Sequence, residues 1–110
     1  MMNGEQCLPT YNINLSLIEK DLKKSCRKHH QLKKELEEIC QKLERNPKYG
    51  ELMKYLPPLF QNKIYKIEVL GSSGFRFIYY WEEGKDITGL FLFSRKEGYP
   101  GTTEIVKRVP

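Results

Sequence analysis

The segment Lys63–Glu97 carries three apolar, aromatic-rich runs separated by two short turn signals. The turn signals are Gly71-Ser-Ser-Gly74 and Glu82-Glu-Gly-Lys85, and glycine in such short connections is typical of hairpins. Runs of this length, rich in aromatic and β-branched residues, predict β-strands. Two tight connections in series predict that the three strands form an antiparallel meander.

Cations lie within and just after these runs. Lys66 lies in the first run on the face opposite its apolar neighbours, Arg76 interrupts the second, and Arg95 and Lys96 follow the third. Strands seldom place Lys or Arg inside a hydrophobic run unless one sheet face is exposed to water. In an antiparallel meander these cations can converge, which predicts either a patch that binds a polyanion such as a phosphodiester or separate cations on a solvated sheet face.

The first half of the chain predicts a short strand followed by helices. Residues 1–9 look like a loose leader, and residues 11–15 alternate apolar and polar side chains. Over residues 16–46 apolar side chains recur at helical spacing until Asn46–Pro47 ends the pattern. The pattern permits one long helix or two antiparallel helices joined near residues 28–31. We favour the hairpin, which would bury more surface.

Together these elements predict an α+β fold in which a short N-terminal strand and a two-helix hairpin accompany an antiparallel sheet. At 110 residues the chain is expected to form one domain, residues 1–110. The net charge of +5 favours acidic partners. No apolar run approaches the roughly 18 residues of a membrane span. The N-terminus lacks an export signal, so a cytoplasmic location without membrane contact is expected.

Metal or cofactor binding is not expected. Cys7, Cys26 and Cys40 are widely and irregularly spaced, and His29 and His30 are adjacent. Zinc sites are usually built from closely spaced ligand pairs, which this chain lacks.

Five segments occur in a distinctive order, namely YNINLSLIEKDLKK, ELEEICQKLERNPKYGELMKYL, IYKIEV, GFRFIYYW and LFLFSRKE. Over roughly residues 11–108, this order and spacing resembles the RelE/ParE superfamily of bacterial type II toxins. The most specific pieces are the NP-x-x-G turn, the YKI strand, the G-[FY]-R-x-x-Y strand and the final strand with its basic-Glu pair. The resemblance implies a compact RelE-like fold. RelE-like members cleave mRNA in the ribosomal A site, whereas ParE-like members inhibit DNA gyrase.

The resemblance also implies roles for individual cations. Lys66 matches a family lysine, and Arg76 matches the family arginine that contacts the scissile phosphate. Lys96, or its neighbour Arg95, matches the basic residue that follows the last strand. Tyr99 is an approximate substitute for the family's catalytic C-terminal tyrosine, and it is suited either to stack on a base or to transfer a proton.

Two positions depart from the family pattern. Glu68 stands where RelE carries a second catalytic lysine, and the family's C-terminal tyrosine falls near Thr102. These departures leave the identity of the general base open. Some relatives use a carboxylate, so Glu68 and Glu51 are candidates.

The helical segment adds a second group of cations. As candidate RNA-binding residues we include Lys23, Lys24, Arg27, Lys28, Lys33 and Lys34. They predict either contacts to RNA phosphates, weakened by salt, or a solvated helix face.

The prediction is therefore a RelE-like, ribosome-dependent mRNA endonuclease toxin that uses the RNA 2′-OH as nucleophile and no metal. Its expected partners are a cognate antitoxin, the ribosome and mRNA, with operator DNA contacted only through the antitoxin. The alternatives are a ParE-like gyrase inhibitor and a degenerate member that only binds its antitoxin.

Overall fold

The computed structural model describes residues 11–70 and 74–110. The leader predicted at residues 1–9 lies outside the described residues, as do residues 71–73 of the first predicted turn.

A five-stranded sheet forms the centre of the described structure, in the order β1-β5-β4-β3-β2. The strands are β1 (Ile13–Asn14), β2 (Glu51–Leu52), β3 (Ile64–Val69), β4 (Phe75–Tyr80) and β5 (Ile87–Ser94). Strands β3, β4 and β5 form the predicted antiparallel meander, and β2 adds to it antiparallel to β3. The short strand β1 instead runs parallel to β5. The sheet is therefore mixed rather than wholly antiparallel.

Two helices follow β1, as the hairpin interpretation predicted. They are α1 (Glu19–Cys26) and α2 (Leu32–Arg45), preceded by a 3₁₀ turn at Ser16–Ile18. The amide N–H groups of Lys28 and His29 both donate to the carbonyl of Ser25, which ends α1. A third helix, α3 (Thr102–Lys107), lies in the C-terminal segment, for which the sequence pattern predicts no helix.

The two helices and the sheet enclose the main hydrophobic core. The buried side chains of α2 are Leu32, Leu36, Ile39 and Leu43. They pack with side chains from one face of the sheet, of which the largest are Tyr65, Phe75, Phe77, Tyr79 and Trp81. Side chains alternate between the two faces of a strand, so this packing decides which residues of β3 and β4 point away from the helices.

A second, smaller core lies on the opposite face of the sheet. It contains Ile64, Ile78, Tyr80, Leu90 and Phe93, and α3 covers it through the buried side chain of Ile105. A register shift between β4 and β5 near Ile78 and Tyr79 lets both Leu90 and Phe91 contact this core. The same face also carries the charged side chains of Lys66, Glu68 and Arg76.

Tyr79 connects the sheet to the segment between α2 and β2. Its hydroxyl donates to the carbonyl of Pro47 at 2.7 Å and accepts the N–H of Gly50 at 2.9 Å. A Cβ at Gly50 would lie 2.8 Å from the same hydroxyl oxygen, so the approach requires glycine. Burial raises the pKa of the Tyr79 hydroxyl, which favours the protonated, donating form.

Within the described residues, no helix combines the length and the apolar character needed to cross a membrane.

Replacing Tyr79 with phenylalanine should lower the free energy of unfolding by about 1 to 3 kcal/mol, because the buried Pro47 carbonyl and the half-buried Gly50 amide lose the hydroxyl that both contact. Denaturant unfolding at neutral pH measures this change. Tyr55→Phe is the matched control, since that side chain is 96% exposed, and its effect should stay within about 0.5 kcal/mol. Equal effects of the two substitutions would contradict this account of Tyr79.

Candidate functional site

The pairing of β3 with β4 places the candidate residues on the sheet face opposite α1 and α2. Tyr65 and Val69 pack in the main core, so Lys66 and Glu68 point to the other face. Arg76 lies directly opposite Glu68 in the antiparallel register. Cross-strand neighbours on one face are within reach of each other, so the register itself brings this acid and base together.

Glu68 joins two arginines through one carboxylate oxygen. Its Oε1 lies 3.0 Å from Nη2 of Arg76 and 3.8 Å from Nη2 of Arg95. The Arg76 side chain is only 12% exposed, and its Nη1 also donates to the carbonyl of Phe75 at 3.4 Å. The Arg76 side chain is thus held within the sheet surface, whereas the side chains of Arg95 and Glu68 are mostly exposed on its solvent side.

The turn that follows β5 positions Arg95. Ser94 and Glu97 form a capping box around a 3₁₀ turn at Arg95–Glu97, with Ser94 N and Oγ both donating to Glu97 Oε1 at 3.0 Å. The Arg95 amide donates to the carbonyl of Gly74. Gly74 has a φ of +73°, and a Cβ there would lie 3.1 Å from Arg95 Cβ. The turn and the start of β4 therefore hold Arg95 beside Arg76.

Lys66 lies on the same sheet face, next to Glu51 and Tyr99. Its Nζ lies 3.7 Å from a carboxylate oxygen of Glu51, which is opposite it on β2, and 5.5 Å from the ring centre of Tyr99. That ring also meets the edge of Phe93, with 5.1 Å between ring centres. Tyr99 is held as a half-exposed aromatic surface next to a cation.

The structure brings together most of the predicted sheet residues and separates one of them. Arg76, Arg95 and Glu68 form one cluster, and Lys66, Glu51 and Tyr99 form its neighbour. Lys96 is exposed and makes no ion pair in the part of the chain that the structure describes. Of the two basic residues after the last strand, Arg95 is therefore the one beside Arg76. Thr102 is exposed at the start of α3.

A groove of about 730 Å³ adjoins this patch at the edge of β5. Strand β1 pairs only with Ile87 and Thr88, so further along β5 no strand of the described chain covers this edge. The C-terminal end of α1 forms one wall of the groove, and the segment from Glu97 to Glu104, including Tyr99, forms the other. This groove was not apparent from the sequence, because it depends on how little of β5 the strand β1 covers.

Only part of the helical cation group lines this groove. Lys24 and Lys28 do so, together with the acidic side chains of Asp21, Glu97 and Glu104. Four further candidates are exposed outside it, namely Lys23, Arg27, Lys33 and Lys34. The groove is mixed in charge, and its cations all come from the α1 side.

The C-terminal end of α3 is anchored to the sheet by a cation that the sequence interpretation had not assigned. Arg108 Nη1 donates to the carbonyl of Leu90 at 2.8 Å, and its guanidinium carbon lies 3.9 Å from the ring centre of Phe91. A cation in the sequence gives no sign of such a contact, because the contact requires α3 to lie across β5.

Within residues 11–70 and 74–110, no group of three or more His, Cys, Asp or Glu side chains is arranged to hold a metal ion.

Comparison with solved structures finds a likeness to the E. coli toxin RelE, in a mutant form in the free state. The TM-score is 0.59, and the match covers 90% of this chain and 93% of that chain. The protein has a RelE-like fold. Sequence identity with that RelE structure is 18%, so the likeness concerns the fold alone. No protein-family model and no curated protein matches this chain.

If the groove guides a nucleic acid strand on this RelE-like surface, a Lys24→Ala, Lys28→Ala double variant should bind single-stranded RNA more weakly. Loss of two phosphate contacts should reduce the slope of log affinity against log salt by roughly 1.4. A salt titration with a labelled oligonucleotide measures the slope. A Lys33→Ala, Lys34→Ala variant makes the same charge change outside the groove. Equal slopes for the two variants would rule out a special role for the groove.

Proposed function

We propose that this protein is the toxin of a type II toxin-antitoxin system and that it cleaves mRNA on the ribosome. The observation that carries the proposal is that the guanidinium groups of Arg76 and Arg95 both contact one oxygen of Glu68. Lys66 lies on the same face of β3, two residues before Glu68. A pair of guanidiniums suits a phosphate group, to which arginine binds through two parallel hydrogen bonds. The RelE-like fold supports the same reading.

The proposed reaction uses the RNA as its own nucleophile. The 2′-oxygen attacks the adjacent phosphorus, a P–O bond forms, and the bond from phosphorus to the 5′-oxygen of the next nucleotide breaks. Arg76 stabilises the extra negative charge of the pentacoordinate phosphorane. Lys66 stabilises the developing 2′-oxyanion, and Arg95, or Lys96 beyond it, stabilises the departing 5′-oxygen. The departing 5′-oxygen takes up a proton from solvent water as it leaves, and every other role in this scheme is filled by a side chain or by the RNA.

A general base must take the proton from the 2′-OH. Glu51 is 72% exposed and lies beside Lys66, the residue assigned to the 2′-oxygen, so it is well placed for this role. Glu68 was the other candidate, but its carboxylate is already engaged with the two arginines assigned to the phosphate. We therefore assign the base to Glu51.

Tyr99 is assigned to the RNA base rather than to proton transfer. Its ring packs against Phe93 and lies 5.5 Å from Nζ of Lys66, so a half-exposed aromatic surface lies beside the residue assigned to the 2′-oxygen. Single-stranded RNA is commonly bound by stacking of unpaired bases on such side chains.

The partners follow from the proposed activity. The protein would act in the cytoplasm on ribosome-bound mRNA, and a cognate antitoxin would hold it inactive. An antitoxin segment lying on the sheet face or in the groove would exclude RNA. Contact with operator DNA would occur only through the antitoxin.

Arg76→Ala should reduce mRNA cleavage by about 10²- to 10³-fold, the usual effect of removing one preorganised donor to a developing charge. The measurement is the mapping of mRNA ends after induction in cells, where wild type should give codon-phased cuts. Arg45→Ala is the matched control, since Arg45 is exposed at the end of α2. Growth arrest with intact mRNA and damaged DNA would overturn the proposal in favour of gyrase inhibition.

Tyr99→Phe should retain mRNA cleavage within about twofold, because a phenyl ring still stacks on a base, whereas Tyr99→Ala should lose about tenfold or more through the loss of roughly 1 to 3 kcal/mol of stacking. Single-turnover cleavage of ribosome-bound mRNA measures both. If phenylalanine is as damaging as alanine, the hydroxyl transfers a proton and the stacking assignment is wrong.

A further inference from the structure

The carboxylate of Glu68 lies where a bound phosphate would be expected. It is on the solvent side of Arg76, with 60% of its side chain exposed, while the Arg76 side chain is only 12% exposed. An anion arriving from solvent would approach the Arg76 guanidinium from that side. The same oxygen is also the meeting point with Arg95, so it marks the position at which both arginines reach one anion.

Glu68 and a phosphate cannot occupy this position together. In the proposed reaction Arg76 and Arg95 bind the phosphate, and their contacts to Glu68 must first be broken. Two negatively charged groups at one site repel each other, so the carboxylate has to rotate into solvent as the phosphate enters. Its exposure leaves room for that rotation, and within the described residues both of its recorded ion pairs are to these two arginines.

The local charge supports the same conclusion. Lys66, Arg76 and Arg95 supply three positive charges, and Glu51 and Glu68 supply two negative ones. The cluster therefore has a net charge of only +1. Removal of the Glu68 charge would raise the net charge of this cluster from +1 to +2 and so strengthen its attraction for a polyanion.

We propose that Glu68 is an internal counter-ion that competes with RNA phosphate for the Arg76–Arg95 pair and so weakens binding of free RNA. This inference rests on the proposed function for its substrate, although the competition itself applies to any polyanion. A tethered carboxylate competes at high effective concentration, whereas RNA in solution is dilute. An mRNA held in place on a ribosome is also delivered at high effective concentration. Glu68 thereby acts as a specificity residue that favours the delivered substrate over free RNA.

The test compares wild type, Glu68→Gln and Glu83→Gln. Glutamine is close in shape to glutamate but carries no charge. Glu83 is exposed in the turn between β4 and β5, at the end of β4 away from Arg76, so it supplies the same change in net charge elsewhere. Glu68→Ala is a second variant that also removes the competing side chain. Thermal unfolding confirms that each variant is folded.

The first measurement is the affinity for a labelled single-stranded deoxyoligonucleotide, which lacks the 2′-OH and cannot be cleaved, over a salt titration. Glu68→Gln should bind roughly five- to tenfold more tightly at low salt, with a slope against log salt steeper by about 0.7. Glu68→Ala should behave similarly, and Glu83→Gln should match wild type. Unchanged or weaker binding by both Glu68 variants would overturn the inference.

The second measurement is cleavage of free and of ribosome-bound mRNA by the same proteins. Increased cleavage of free RNA by Glu68→Gln supports the inference. A fall of 100-fold or more in ribosomal cleavage, with oligonucleotide binding unchanged, would make Glu68 the general base and overturn the inference while the proposed function stands. Tighter oligonucleotide binding by Glu68→Gln, with no mRNA cleavage by any of the proteins, would support the counter-ion and refute the proposed nuclease.

Discussion

The register between β3 and β4 is the constraint on which the candidate site depends. Tyr65 and Val69 are committed to the helix-covered core, and a strand must turn alternate residues to the opposite face. Lys66 and Glu68 therefore face away from α1 and α2, and Glu68 is paired with Arg76. A slip of one residue would exchange the two faces, burying the charged side chains and exposing the aromatic ones, at a cost far greater than any polar contact could offset.

The second face is divided between an apolar core and a group of charged side chains. At one end α3 covers a small apolar core through Ile105 and is anchored to β5 by Arg108. At the other end the face carries the cationic cluster and the ring of Tyr99. Phe93 belongs to both, since it is buried in the small core and meets the edge of Tyr99. Displacement of the C-terminal segment would therefore disturb both the packing and the aromatic surface beside Lys66.

Periodicity in the sequence predicted the large elements correctly for a physical reason. The meander and the helix hairpin each bury a continuous apolar stripe or face, and burial imposes a repeat that is visible without a structure. The smaller elements impose no such repeat. Strand β2 has two exposed residues, and α3 buries only Ile105. The parallel pairing of β1 depends on β5, which is about 70 residues away along the chain.

The residue types of the candidate site could be predicted from the sequence, but the contacts between these residues could not. Alternation along β3 placed Lys66 on the polar face. Which of Arg95 and Lys96 lies beside Arg76 depends on the capped turn after β5, and that turn is visible only in the structure. Glu68 is a candidate base from the sequence alone, and its contacts with Arg76 and Arg95 became visible only in the structure. The groove beside Tyr99 exists because β1 covers only part of the edge of β5, and no local sequence pattern indicates how far β1 extends along that edge.

In the proposed function, this cationic face promotes attack by the RNA 2′-oxygen on the adjacent phosphate. The most direct measurement is the chemistry of the ends produced when the purified protein is added to ribosomes carrying a defined mRNA. Attack by the 2′-oxygen predicts an upstream fragment ending in a 2′,3′-cyclic phosphate and a downstream fragment beginning with a 5′-hydroxyl. Fragments with a 3′-hydroxyl and a 5′-phosphate, or mRNA that remains intact, would contradict the account.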